Sequence, residues 1–122
     1  MIKPQYEPLL ELVEKPGRYT GGEYGEVVKD KEGLDARFAF AFPDTYEIGM
    51  SNLGIRILYG VLNAMPNVWC ERVFAPWTDM EALLREKNLP LYAHESGDTL
   101  SEFDFVGFTL QYELCYSNVL NM

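Results

Sequence analysis

The segment PDTYEIGMSN, residues 43–52, holds the densest group of side chains in this sequence that could do chemistry. It joins an apolar run typical of a strand to an apolar helical pattern. The free amides near Ser51 and Asn52 would then lie at a helix N-terminus and could bind an anion, and Gly49 would allow close backbone approach. The segment predicts a cradle for a phosphate or an amide-bearing cofactor tail. The alternative is a capped loop packed on its own domain.

Two further features of the sequence have both a chemical and a structural interpretation. Asp44 and Glu47 could form a carboxylate pair or weak metal ligands, or could simply favour a nearby helix N-terminus. The stretch GGEYG, residues 21–25, has neither the Gly-Lys-Ser/Thr ending of a phosphate-binding loop nor a G-x-G-x-x-G pattern. We therefore interpret it as a series of turns.

The only histidine, His94, begins an H-x-x-G sequence like that in the D-x-H-x-x-G motif of cobalamin-binding domains. Position 92 is tyrosine instead of aspartate, so the carboxylate that would tune the imidazole is absent. We predict that His94 lies in a surface loop. Cys70 and Cys115 form no C-x-x-C pair and are interpreted as buried thiols, so no structural zinc site is expected.

Composition limits the classes of partner. A net charge of −9 argues against nucleic acid and against an anionic membrane surface, because both need clustered Lys and Arg. A hydrophobic fraction of 48% supports one folded domain in 122 residues. The sequence contains neither a long apolar run nor an apolar signal core, and we predict a cytoplasmic protein.

Strands and helices alternate along the predicted chain. A short amphipathic helix over residues 6–13 precedes a hairpin that includes Val27 and Val28, and together they form an N-terminal extension, residues 1–36. Strands are predicted at 37–42, 68–75, 91–93 and 103–110. Helices are predicted at 53–65, after Thr78 with a Thr78–Glu81 capping box, and at 113–122. The helix at 53–65 is apolar nearly all round, which predicts deep burial.

This alternation predicts an α/β fold with an open, mostly parallel sheet flanked by helices, over residues 37–122. Ligands bind such sheets beyond the carboxyl ends of the strands, where segments 43–52, 76–79 and 109–113 should converge. The last helix has neither a C-cap nor a following strand, which indicates a domain truncated at its C-terminal end.

The amino-acid sequences of several segments resemble those of one protein family. The stretches FPDTYEIGMSNLGIRILYGVLN, WCERVFAPW, HESGD and FDFVGFTLQYELCYSNVLNM together are similar to the N-terminal part of uncharacterised bacterial and archaeal radical S-adenosylmethionine (SAM) proteins. In that family a cobalamin-binding-like domain precedes the radical domain. The resemblance covers most of the chain, from about residue 18 to residue 122.

The resemblance implies a Rossmann-like, flavodoxin-type domain that is accessory to a downstream radical SAM domain of the same chain. A C-x-x-x-C-x-x-C loop there would hold a 4Fe-4S cluster and SAM, so the longer protein is expected to be an enzyme while this chain alone is not. Cobalamin could bind here without a histidine ligand, or could have been lost. The predicted cofactor contacts are Pro43, Asp44, Tyr46, Gly49, Ser51, Asn52, Gly107, Thr109 and Gln111.

Two other hypotheses remain open at this point. The chain could be a flavodoxin-like interaction module that binds no cofactor, and exposed aromatics expected at Trp69, Trp77, Tyr112 and Tyr116 would fit either role. A flavin mononucleotide protein is less favoured, because the first strand–helix loop lacks a Ser/Thr-rich phosphate turn. Apolar surface normally covered by the downstream domain predicts that the chain self-associates.

Overall fold

A three-stranded, all-parallel sheet forms the centre of the computed structural model, which describes residues 1–122. Its strands are β1 (Ala36–Phe42), β2 (Val68–Phe74) and β3 (Phe105–Phe108), in the spatial order β2-β1-β3. β1 pairs with β2 along its whole length, in register Ala36 with Val68, and with β3 over residues 38–41, in register Phe38 with Phe105. The prediction of an open α/β sheet is therefore confirmed.

The helices are α1 (Tyr46–Ser51), α2 (Leu53–Asn63), α3 (Thr78–Glu86) and α4 (Tyr116–Asn121). Short 3₁₀ turns cover Glu7–Leu12, Pro16–Arg18, Leu100–Glu102 and Glu113–Cys115. None of the helices has the length and apolar character needed to cross a membrane.

Several local predictions were wrong in detail. The N-terminal helix is present as a 3₁₀ helix, Glu7–Leu12, instead of an amphipathic α-helix. No hairpin forms around Val27, and the strand predicted at 91–93 is reduced to one antiparallel bridge between Tyr92 and Thr99. No side chain caps α3. The capping pair occurs instead at Thr99 and Glu102, in a segment predicted to be a plain polar connection.

The two faces of β1 differ because its sequence alternates aromatic residues with alanine. Phe40 and Phe42 pack with Ile55 and Tyr59 of α2, and this side of the sheet is called the phenyl face. The opposite side, the alanine face, contains Ala39, Ala41, Val73 and Ala93, with Leu91, Phe103 and Met122 packed against it. Small side chains there allow the segment between α3 and β3 to approach the sheet closely.

Much of the apolar surface that was predicted to be buried lies exposed. In α2 only Ile55 and Tyr59 are buried, whereas Leu53, Ile57 and Val61 are more than half exposed, so the predicted deep burial of this helix is wrong. No other part of the chain packs on its outer side. Trp69 shows the opposite error: it is buried, because its indole N–H donates to the Val27 carbonyl at 2.9 Å and Arg37 covers its ring.

Two buried charges in β2 are paired, and a segment that the sequence predicted to be a surface loop is buried with them. Glu71 and Arg72, in the middle of β2, need partners because an unpaired buried charge is costly. Arg72 pairs with Glu95 at 2.7 Å and Arg37 pairs with Glu71 at 2.5 Å. Segment 94–98 supplies Glu95 and also the Ser96 N–H, which donates to Glu71 Oε1 at 2.9 Å. The segment is therefore buried, and the prediction that His94 lies in a surface loop is wrong.

Candidate functional site

The loops that follow the three strands meet at one end of the sheet, around Asp44. The Ala75 N–H donates to the Asp44 carbonyl at 2.9 Å, which joins the loops after β1 and β2. The Tyr112 hydroxyl donates to Asp44 Oδ2 at 3.2 Å, and Asn118 Nδ2 donates to the Pro43 carbonyl at 2.9 Å. The segment after β3 is thereby joined to the same point, as expected for parallel strands whose carboxyl ends share an edge.

A crevice opens between the carboxyl ends of β1 and β3, where the strand order changes direction. Its volume is about 180 Å³. The lining residues combine apolar groups with a few polar ones: Phe42, Pro43, Asp44, Ile48, Asn52, Gln111, Tyr112 and Cys115. A second, more polar recess of about 150 Å³ lies on the other side of Asp44, between the β1 and β2 loops and α4. In open α/β sheets such a switch point is where ligands bind.

Asp44 is fixed by its contacts and is not paired with Glu47. Its Oδ1 accepts the Thr45 N–H at 2.7 Å, and its Oδ2 accepts the Tyr112 hydroxyl, which raises the pKa of Tyr112 above its usual value. Glu47 binds Arg18 at 2.8 Å on the outside of α1. The structure therefore does not form the carboxylate pair that the sequence suggested. No group of three or more His, Cys, Asp or Glu side chains is arranged to hold a metal ion.

The segment 43–52 is mostly helical instead of being an open loop. Residues 46–51 form α1, and Asn52 Oδ1 then accepts the Ile55 N–H at 3.1 Å as the N-cap of α2. This bond uses one of the amides that the predicted anion cradle required. Gly49 is buried in α1, and a Cβ there would lie within 3.0 Å of the Phe74 ring, so its lack of a side chain serves packing.

Four of the nine predicted contact residues lie together in the crevice: Pro43, Asp44, Asn52 and Gln111. The other five, Tyr46, Gly49, Ser51, Gly107 and Thr109, are not among the residues that line it. Ser51 is exposed and its hydroxyl donates to the Glu47 carbonyl at 2.7 Å, within α1. The role of the nine predicted residues as cofactor contacts stays a prediction.

Gly107 and Thr109 belong to the sheet and not to the crevice lining. Gly107 lies under the Phe38 ring, where an added Cβ would be 2.7 Å from Phe38 Cζ. Thr109 donates its N–H to the Ala41 carbonyl at 3.3 Å, and its hydroxyl is buried with no hydrogen-bond partner in the chain. Thr109 is thus a polar group left unsatisfied at the carboxyl end of β3.

Tyr46 and Glu23, both half-buried, form a separate cluster with the buried His94. His94 Nε2 and the Tyr46 hydroxyl both contact Glu23 Oε1, at 2.5 and 2.9 Å. The Phe74 ring packs edge-on against both the Tyr46 and His94 rings. Burial raises the pKa of Glu23, and its contacts with His94 and Tyr46 more than reverse this, so the net pKa lies below the usual value.

The position of His94 in this cluster determines whether it could serve as a ligand to cobalamin. The only imidazole is buried and bonded to Glu23, and His94 is not among the residues that line the crevice. The residues present therefore do not fit a cobalamin that takes a histidine ligand from this domain. The amide side chains of Asn52 and Gln111 remain at the crevice as polar groups of the kind that bind amide-bearing ligands.

Sequence reasoning missed Glu23, Ile48 and Cys115. Ile48 and Cys115 line the crevice, and Glu23 anchors His94 and Tyr46. The adjacent Glu71 and Arg72 in an otherwise apolar strand could have indicated that segment 94–98 is buried, since such charges need partners. Nothing in the sequence around Glu23 distinguishes it from an ordinary turn residue.

Fold and site together describe an α/β domain with its candidate site at the carboxyl-end switch point of a parallel sheet. The family model described as "Radical SAM proteins, N-terminal" matches residues 54–122, more than half of the chain. The chain belongs to this family of N-terminal regions of radical SAM proteins. No curated protein and no solved structure matches it.

Proposed function

We propose that this chain is the N-terminal accessory domain of a radical SAM enzyme and that the crevice between β1 and β3 forms one wall of the active site in the downstream domain. Family membership supports the accessory role. Two properties of the crevice support its role as one wall of the active site. It lies at the switch point where such sheets bind ligands, and its own volume is about 180 Å³. Pockets that bury a small ligand usually have roughly 300–1,000 Å³. The crevice is smaller than such a pocket, and a second wall from the downstream domain would complete it.

The surroundings of the crevice fit contact with another domain. Ile48 and Tyr112 line it and are exposed, and the exposed Leu110 and Leu114 are the sequence neighbours of its lining residues Gln111 and Cys115. Apolar groups that surround a concave site in this way are typical of surfaces that another protein domain covers. The radical domain of the same polypeptide is the occupant that family membership indicates.

The test fills the crevice in the complete protein with Gln111→Trp and uses Gln5→Trp as the matched control. Gln111 lines the crevice, whereas Gln5 is exposed in the N-terminal segment. Formation of 5′-deoxyadenosine from SAM under a chemical reductant should change at least ~10-fold for Gln111→Trp, because small displacements of a reacting group have large effects on rate. It should stay unchanged for Gln5→Trp, with equal iron content in both. Wild-type rates in both variants would refute the proposal.

A second candidate is that the completed site holds cobalamin without a histidine from this domain. The support is the pair of amide side chains at the crevice, Asn52 and Gln111. When bound, cobalamin would supply its cobalt chemistry, and Asn52 and Gln111 of this chain would hold it through their side-chain amides. A hydroxocobalamin titration of the complete protein, followed by its visible spectrum, should saturate and should weaken with Gln111→Trp. No spectral change on titration would refute this candidate.

The interaction-module hypothesis has its own observation, the exposed outer stripe of α2 that contains Leu53, Ile57 and Val61. If this stripe is the functional surface, Ile57→Asp in the complete protein should weaken association of the two domains after limited proteolysis between them. Gln111→Trp should then have no effect on any activity. A rate change with Gln111→Trp and unchanged association with Ile57→Asp would reject the module hypothesis.

A further inference from the structure

The two outer edges of the sheet are treated differently by the rest of the chain. Along the free side of β2, alternate residues have their backbone groups bonded by other segments. Lys29 Nζ donates to the Val68 carbonyl at 2.5 Å. The side-chain amide of Asn63 bonds both the N–H and the carbonyl of Cys70, at 2.9 Å each. The backbone N–H of Arg72 donates to Glu95 Oε2 at 2.7 Å, and the Arg72 carbonyl accepts the His94 N–H at 2.8 Å. This edge is closed within the chain.

The outer edge of β3 has no such cover. Thr109 donates its N–H to the Ala41 carbonyl, and backbone groups of alternate strand residues point to opposite edges. Those of Val106 and Phe108 therefore point away from β1, and no side chain or loop of the chain bonds them. The sequence of β3, FVGF, contains no charge and no proline, which are the residues that usually protect a free edge from pairing.

The side chains of β3 also lack cover on both faces. Phe105, on the phenyl face, is 58% exposed, and Val106 and Phe108, on the alanine face, are also exposed. A strand in a parallel sheet is normally buried on both faces, and its apolar sequence reflects that burial. β3 therefore has the composition of an internal strand and the position of an edge strand.

The handedness of the chain indicates which side the next strand would take. The connection from β2 to β3 passes over the alanine face, where Leu91 and Phe103 pack, and moves the chain across β1. α4 returns to the same face, since Met122 packs against Ala39, Ala41, Val73 and Ala93. Parallel crossovers are right-handed in nearly all proteins. A strand after α4 would therefore lie one position further, at the free edge of β3.

We propose that the free edge of β3 pairs with a fourth parallel strand contributed by the polypeptide that follows α4, so that β3 is internal in the complete protein. The proposal rests on the accessory-domain function, because that function supplies the continuing chain. It commits to a segment of the same polypeptide and not to a second copy of this chain. Pairing would bond the backbone groups of Val106 and Phe108 and would cover their side chains.

The test is hydrogen–deuterium exchange of individual amides in the complete protein at several protein concentrations. The amides of Cys70 and Arg72 serve as internal references, because Asn63 and Glu95 already bond them. The amides of Val106 and Phe108 should exchange within ~10-fold of these references at every concentration.

Three outcomes would overturn the proposal. The amides could exchange ~100-fold faster than the references, their protection could grow with protein concentration, which would indicate a second copy, or the reading frame could stop after Met122. Two variants at position 106 give a second test. Val106→Pro removes the outward N–H and Val106→Thr keeps it, so Val106→Pro should lower the thermal midpoint of the complete protein more than Val106→Thr does. Equal midpoints would count against the fourth strand. Exchange requires no radical chemistry, so this result is independent of the Gln111→Trp assay.

Discussion

Replacing Gly49 with alanine tests whether this glycine serves packing in α1 or ligand approach. An added Cβ would lie under 3.0 Å from two atoms of the Phe74 ring and 3.2 Å from Phe42 Cδ1. The Phe74 ring cannot move aside easily, because the rings of Tyr46 and His94 pack edge-on against it with centroids 5.5 and 5.6 Å away. The substitution must therefore displace α1 from the sheet.

The expected free-energy change follows from two opposing effects. Overpacking a well-filled core costs up to ~3 kcal/mol, while alanine in place of glycine in a helix gains ~1 kcal/mol. Gly49→Ala should therefore destabilise the chain by ~2 kcal/mol. Gly60→Ala is the matched control, because Gly60 lies in α2 with no heavy atom within 4 Å of the added Cβ. It should stabilise the chain by ~1 kcal/mol.

Urea unfolding followed by circular dichroism measures both variants against the wild type. With a typical slope of ~2 kcal/mol per molar urea, the two midpoints should lie ~1.5 M apart and on opposite sides of the wild type. If both variants shift the midpoint in the same direction, α1 does not pack against Phe74 as described. A wild-type midpoint for Gly49→Ala would leave ligand approach as the reason for this glycine.

Further predictions follow from single contacts. Asn52→Ala removes the N-cap bond to the Ile55 N–H and should cost ~1 kcal/mol in the same urea assay, whereas Ser51→Ala should change stability by less than ~0.5 kcal/mol; equal losses would contradict the cap assignment. Burial raises the pKa of the Cys70 thiol to about 12, so iodoacetamide at pH 8 should label it only after unfolding, and labelling of the folded chain would contradict this burial. Burial raises the pKa of Asp98, but its contacts with Lys3, Lys31 and Arg37 more than reverse this and hold the pKa below its usual value. The stability that this carboxylate contributes is therefore present at neutral pH and is lost as the pH falls below ~4, and Asp98→Asn should flatten that acid dependence; an unchanged pH profile would refute the pairing.

The parts of the fold that depend on local sequence could be predicted. The run RFAFAF is apolar on both faces, which predicted a strand of a parallel sheet covered on both sides, and Pro43 marked its end. The convergence of three loops at one edge followed from the parallel topology alone. Strand order could not be predicted, because it depends on which face each connection crosses and no residue in the strands specifies that.

The errors in the predicted site have two physical origins. An all-round apolar helix is typical both of a buried helix and of one that packs on another domain, so the pattern in α2 could not distinguish Ile55, which is buried, from Ile57, which is exposed. The segment HESGD is polar and was predicted to lie at the surface, but Glu95 pairs with the buried Arg72 of β2 and Asp98 pairs with Arg37 of β1. Charges within an apolar strand indicate that buried partners exist, and the three-dimensional pairing of Arg72 with Glu95 shows which segment supplies one.

The central claim is that the crevice between β1 and β3 faces the radical domain, and a distance measurement in the complete protein tests it most directly. A nitroxide label would be attached at Gln111→Cys in one sample and at Gln5→Cys in another, since Cys70 and Cys115 are both buried. A one-electron reductant that spares the nitroxide would convert the 4Fe-4S cluster expected in the radical domain to its paramagnetic 1+ state. The reduced cluster should then shorten the relaxation of the label at position 111 and leave the label at position 5 unaffected. Equal relaxation at both positions, or faster relaxation at position 5, would contradict the account.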